Sequence, residues 1–182
     1  FKLAYEILYY SRVLQLIKKT RDVIRRNTVA PIHKNLLFIN LVYHKPVDEK
    51  WREAWRVTEG LLLKIRDEIK TNGAKFLVVG MPWGEVEVNP DTKVRQRYMD
   101  HFGLKDLFYP YRRIKTLGKK EGFPVLPLAP YFQSYVEEKQ VYLHGFEGTK
   151  GIRDTLGTGH WNKKGHRLAG NIVSAHICNN FL

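Results

Sequence analysis

The sequence holds a single cysteine, Cys178, among its 182 residues. One thiol excludes an internal disulfide and any metal site built from several cysteines. Acidic residues are scarce: 18 Asp and Glu stand against 31 Lys and Arg, for a net charge of +13. Serine occurs only at Ser11, Ser134 and Ser174. None of the three lies in a G-x-S-x-G elbow, so the sharp strand-to-helix turn of one large hydrolase class is excluded. No apolar run approaches the roughly eighteen residues that a membrane span needs. The chain opens at Phe1, with no basic-then-apolar leader ahead of a small-residue cleavage site. It contains no internal repeat and no low-complexity tract.

What is there is ample for one globular domain. Hydrophobic residues make up 43% and aromatics 13%, enough to bury a core rather than leave the chain disordered. The positive charge is spread along the chain, at Lys18, Lys19, Arg25 and Arg26, then Arg112, Arg113, Lys115, Lys119 and Lys120, then Lys163, Lys164 and Arg167. Such a distribution fits solvated helix faces, and no nucleic-acid motif accompanies it.

Hydrophobic spacing predicts the elements. Residues 2 to 19 read as a helix on Leu3, Ile7, Leu14 and Ile17, and LLFINLVYH, 36 to 44, as a strand or extended segment. Residues 49 to 72 form the clearest helix, with Trp51, Trp55, Leu61, Leu62, Ile65 and Ile69 on one face, Asp48 as its cap and Asn72-Gly73 as its stop. KFLVVG, 75 to 80, is an unbroken apolar run of the kind buried on both faces of a parallel sheet. Helices follow at 91 to 101 and 110 to 121, then a second strand in FPVLPLAP, 123 to 130. A polar, aromatic loop is expected from about 131 to 159, ahead of a last helix at 163 to 180 with Leu168, Ala169, Ile172, Val173 and Ile177 facing inward. Helix, strand, helices, strand is the grammar of an α/β fold with parallel strands. A strand such as KFLVVG needs neighbours on both edges, so the sheet reads as incomplete.

The chemistry gathers in GTGHWNKKGHRLAG, residues 157 to 170. Asn162 is placed to cap the last helix, which would fix the loop that carries His160. The same residues also read as a capped helix with two surface histidines, His160 and His166. Histidines six apart at a loop–helix junction do not share a face, and no nearby acid or cysteine completes a ligand set, so no metal is expected.

The run GHWNKKGHRLAG resembles the last conserved block of the SGNH (GDSL-type) hydrolase superfamily. The resemblance covers roughly residues 49 to 182, with topology alone outside the C-terminal block. It implies a three-layer, mostly parallel sheet flanked by helices, flavodoxin-like in its layout. His160 would be the catalytic base and Gly165-His166 the helix-opening pair. The family's acid, three positions before that histidine, would fall at Gly157. Either the triad reduces to a Ser–His pair, a backbone carbonyl orients the ring, or another acid serves, Asp154 being nearest in sequence. The family's Gly-Asp-Ser block and its oxyanion-hole glycine and Gly-x-Asn-Asp segment are absent from the 182 residues. The chain therefore reads as the C-terminal part of such a domain, with 1 to 45 as a helical and extended insertion. Implied substrates are acyl or acetyl esters of lipids, small alcohols or carbohydrates, handled without a cofactor. Trp83, Trp161 and Asn162, with Tyr131 and Phe132, are the candidate substrate-binding residues. Two other readings stand beside this one: a catalytically silent basic module binding an anionic partner, and an assembly subunit joined through an open sheet edge.

Overall fold

The computed structural model describes residues 40–148 and 155–181. The expected helix at 2 to 19 and most of the 1 to 45 insertion lie outside the described residues. Residues Asn40–Leu182 form one compact unit.

Its first long element is helix α1, Glu49–Thr71. The Asp48 carboxylate accepts from the Trp51 backbone N–H at 2.8 Å, satisfying one of the donors that a helix start leaves open. Asn72 caps its end and Gly73 follows at φ +73°, as the Asn-Gly pair predicts. Strand β1 is Val78–Gly80, and helices α2, Thr92–Phe102, and α3, Tyr109–Glu121, lead to strand β2, Val125–Pro127. Both helices stop on a left-handed glycine, Gly103 and Gly122. Helix α4, Ala129–Lys139, begins at once, and α5, Lys163–Phe181, closes the chain.

The two strands pair in parallel, Val78 opposite Val125 and Gly80 opposite Pro127. The fold is thus helix-rich α/β with a small parallel sheet. Alternation along each strand sorts the side chains. On one side Gly80 takes the Tyr111 ring against its backbone, and Val125 packs on Gly118, both from α3. A Cβ at Gly118 would stand 2.6 Å from the Phe123 carbonyl oxygen, so the close approach of α3 to β2 requires a glycine there. On the other side Val79 and Leu126 join the main core of Val88, Leu128, Phe132, Val136, Leu143 and Ala169, onto which α5 lays Leu168, Ile172 and Val173. Helices α1 and α3 run in the same direction. Trp55 meets Tyr109 near their starts, and Arg66 donates to the Glu121 carbonyl at 2.8 Å near their ends.

Four expectations need correction. Residues 40 to 43 make a helical turn, tied by the Tyr43 N–H to the Asn40 carbonyl at 3.1 Å, and not a strand. KFLVVG yields only three strand residues, each half-buried, because among the described residues β1 has a single partner strand and no second edge contact. The region after β2 is not a thirty-residue loop: α4 fills its first third, started by Pro130 in a first-turn position where a missing N–H costs nothing. Leu61 and Ile65 of α1 stand half exposed, with Val57 alongside, and Ile177 of α5 is also exposed.

Candidate functional site

Ligands of open α/β sheets gather at the carboxyl ends of the strands. Here that end is built from the loop after β1, residues 81–90, and from residues 140–148 and 155–162. The β1 loop folds back on itself. Trp83 N–H donates to the Glu87 carboxylate at 3.1 Å, and Glu87 N–H returns to the Trp83 carbonyl at 3.1 Å. Glu87 is 3% exposed and also accepts from the hydroxyls of Tyr43 and Tyr111. Burial pushes its carboxyl up to about 7, against the pull of the Tyr111 and Tyr43 hydroxyls and the Trp83 amide, which favour the charged form. The same burial, with the Glu87 charge, drives both tyrosines above their ordinary range. One carboxyl group thereby pins three chain segments: the 40–43 turn, the loop after β1, and α3.

That loop presses on a buried histidine. His144 is 3% exposed, and its ring lies so close to Gly84 that a Cβ there would come within 2.2 Å of it. Burial lowers the imidazole to about 4, only partly offset by the Pro82 carbonyl, so the ring is neutral at ordinary pH. His144 in turn forms an antiparallel bridge with Trp161.

The bridge fixes the segment that carries His160. Gly145 N–H donates to the His160 carbonyl at 2.9 Å, and Asn162 N–H donates to the Leu143 carbonyl at 2.9 Å. The Asn162 side chain caps α5, accepting from Lys164 and Gly165 N–H at 2.9 and 3.1 Å and donating to the Tyr142 carbonyl at 3.0 Å. The His160 backbone is therefore held from both sides while its ring is exposed, with no hydrogen bond from another described residue. The ring is open to whatever approaches this end of the sheet.

Gly157 is a backbone necessity. Its φ is +83°, its N–H donates to the His144 carbonyl at 3.0 Å, and a Cβ would meet the Tyr142 ring at 3.0 Å. An aspartate three residues before His160 would be strained there. Asp154, the other candidate acid, lies outside the described residues.

The aromatic candidates separate. Trp161 packs among Phe132, His144 and His166, with ring centroids 5.1, 6.2 and 5.6 Å away. Phe132 is fully buried, so it cannot line an open wall, whereas Tyr131 is exposed. Trp83 is half-buried against Tyr98. Ser134 and Ser174 sit on exposed helix positions of α4 and α5, and the Ser174 hydroxyl donates to the Asn171 carbonyl. Among the described residues no group of three or more His, Cys, Asp or Glu could hold a metal, and no helix is long and apolar enough to cross a membrane.

Glu87 and His144 were not singled out by sequence reasoning. The available signal was Val86-Glu87-Val88, a carboxylate between two residues that bury to 6% and 1% exposure. Compared with protein-family profiles, curated proteins and solved structures, the chain matches none.

Proposed function

We propose that this chain forms part of an SGNH-type ester hydrolase with His160 as the base. The observation that carries the reading is the placement of His160. It lies two residues before Asn162, the cap of the terminal helix, in a segment locked by Gly145 and Leu143 beside the loop after β1, with its ring left open. A base that must take a proton from a hydroxyl and return it to a leaving alcohol needs that combination of a fixed backbone and an accessible ring.

In this reading a serine from outside the 182 residues attacks the acyl carbon, and His160 takes the hydroxyl proton. The tetrahedral intermediate collapses, the ester C–O bond breaks, and the departing alkoxide receives the proton from His160. Water then attacks the acyl-enzyme, giving its proton to His160, and the free acid and serine are restored. With a glycine required at position 157, the ring is oriented by a backbone carbonyl, by Asp154, or by no acid at all. The substrates would be acyl or acetyl esters of small alcohols, lipids or carbohydrates, with Trp83 and Tyr131 the aromatic residues nearest in role to a substrate wall.

The full sheet would be three-layered and mostly parallel. Helix α3 on one side of the strand pair and α5 on the other support that layout, and the second edge of each strand is unpaired among the described residues.

Hydrolysis of p-nitrophenyl acetate by the natural full-length protein and its His160→Ala variant tests the reading. A loss of about 100- to 10,000-fold in kcat/KM is expected from removing a general base. Equal turnover by the two proteins ends the assignment.

A further inference from the structure

A cleft of about 590 Å³ opens between α1 and α3, well away in sequence from the His160 segment. Its rim carries Lys45, Arg112, Arg113 and Lys120, with one acid, Glu59, in the lining. Tyr109 and Leu117 supply an apolar wall. The volume lies within the range of small-molecule sites.

The two arginines are held in advance of any ligand. Arg112 is gripped by both oxygens of Asp106 at 2.8 Å. Arg113 donates to Glu59 at 2.6 Å and to the Tyr109 hydroxyl at 3.1 Å, and its guanidinium lies 4.7 Å from the Trp55 ring. Each guanidinium has five N–H donors, and these contacts use two, leaving three on each without a partner among the described residues. Holding the forks this way removes the ordering cost that a flexible cation pays on binding. The lysines are the mobile complement. Lys45 makes no ion pair with another described residue, and Lys120 is 78% exposed beside Glu121 at 3.4 Å. The Arg113–Glu59 and Arg112–Asp106 pairs are each neutral overall, so the arginines contribute oriented N–H donors and the net positive charge comes from Lys45 and Lys120.

We propose that this cleft binds a small molecule bearing a phosphoryl group. Each fixed guanidinium is a planar fork with N–H donors left for oxygens of a tetrahedral phosphoryl group, and two lysines add point charge for a dianion. Tyr109 and Leu117 would receive the part of the ligand that is not charged. The site functions whether or not His160 is catalytic, so a failure of one reading leaves the other standing.

Pyrophosphate titrated into the full-length protein by calorimetry at fixed ionic strength tests it. Saturable one-to-one binding is expected, weakened about tenfold in the double variant Lys45→Ala/Lys120→Ala. Both lysines are exposed, so the fold should survive, and an unchanged melting temperature checks that. The control is Lys163→Ala/Lys164→Ala, at the start of α5, which removes the same charge elsewhere and should leave affinity intact. An absence of saturable pyrophosphate binding overturns the proposal. Equal weakening by both double variants overturns it too, since the effect would then be bulk charge. Heparin binding without pyrophosphate binding assigns the basic residues to a polymer-facing surface instead.

Discussion

Glu87 and His144 are both buried at the carboxyl end of the sheet, and their titrations pull against each other. Glu87 rises from 4.5 unfolded to about 7 folded, so between those values the folded state holds a proton that the unfolded state has lost. Its contribution to stability therefore falls as pH rises through that window, by roughly 3 kcal/mol in all. His144 drops from 6.5 unfolded to about 4 folded, so there the unfolded state holds the extra proton and stability rises with pH across that window. From 4.5 to 6.5 the two slopes oppose and nearly cancel. In Glu87→Gln only the histidine slope remains, and urea unfolding should show stability climbing from pH 4.5 to 6.5 where the parent is nearly flat. Identical pH profiles for the two proteins would show that Glu87 titrates as an ordinary carboxylate. Neither residue announces itself in the sequence, because burial of a charged side chain depends on which segments fold over it. The 40–43 turn and α3 close over Glu87 from 44 and 24 residues away.

At the level of elements, caps and stops were the most legible features. Asp48, Asn72-Gly73, Gly122 and Asn162 all act at the ends their residue types indicate, because capping is a contact with backbone groups only a few residues away; Gly103, which the sequence reading did not single out, ends α2 in the same way. Asn162→Ala removes two bonds to the start of α5 and one to the Tyr142 carbonyl. A loss of about 1 to 2 kcal/mol is expected, measurable as a lower urea midpoint at unchanged m-value. No change would mean that the bridge to residues 143–145 holds the helix start without its cap. Strands were harder to read. Pairing partners determine how far a strand extends, and with one partner each among the described residues, β1 and β2 keep three residues of longer apolar runs. The two prolines of FPVLPLAP suggested an irregular strand, yet a third, Pro130, opens α4. The α1 face was legible as a stripe, but the stripe's depth was not: Trp55 is buried by Tyr109 and Arg113, whereas Val57, Leu61 and Ile65 meet solvent among the described residues.

At the largest scale, the described residues rest on two apolar clusters. The larger is centred on Phe132, Leu128, Val136 and Leu143, all within 1% of complete burial. The smaller joins Val86 of the loop after β1 to Tyr43, Leu104 and Leu107. Phe132 touches the sheet core and Trp161 together, so it couples α4 to the segment that carries His160. Phe132→Ala should cost about 3 to 5 kcal/mol, a large share of the 5 to 15 kcal/mol that a domain of this size commands. Chemical denaturation of the two proteins checks it, and a cost below about 1 kcal/mol would show that the core collapses around the gap.

The sequence by itself determined helices α1, α2, α3 and α5 and the two strands among them, though not α4, together with the caps of α1 and α5, the positive charge, and the nomination of His160 ahead of a capped helix. All of these follow from contacts within a few residues or from composition. Only the tertiary structure decided that Glu87 and His144 are buried, that Gly157 leaves no room for an acid, and that Arg112 and Arg113 share one cleft. Each of those depends on segments distant in the chain meeting in space, and the solvation and charge of a side chain are set by that meeting.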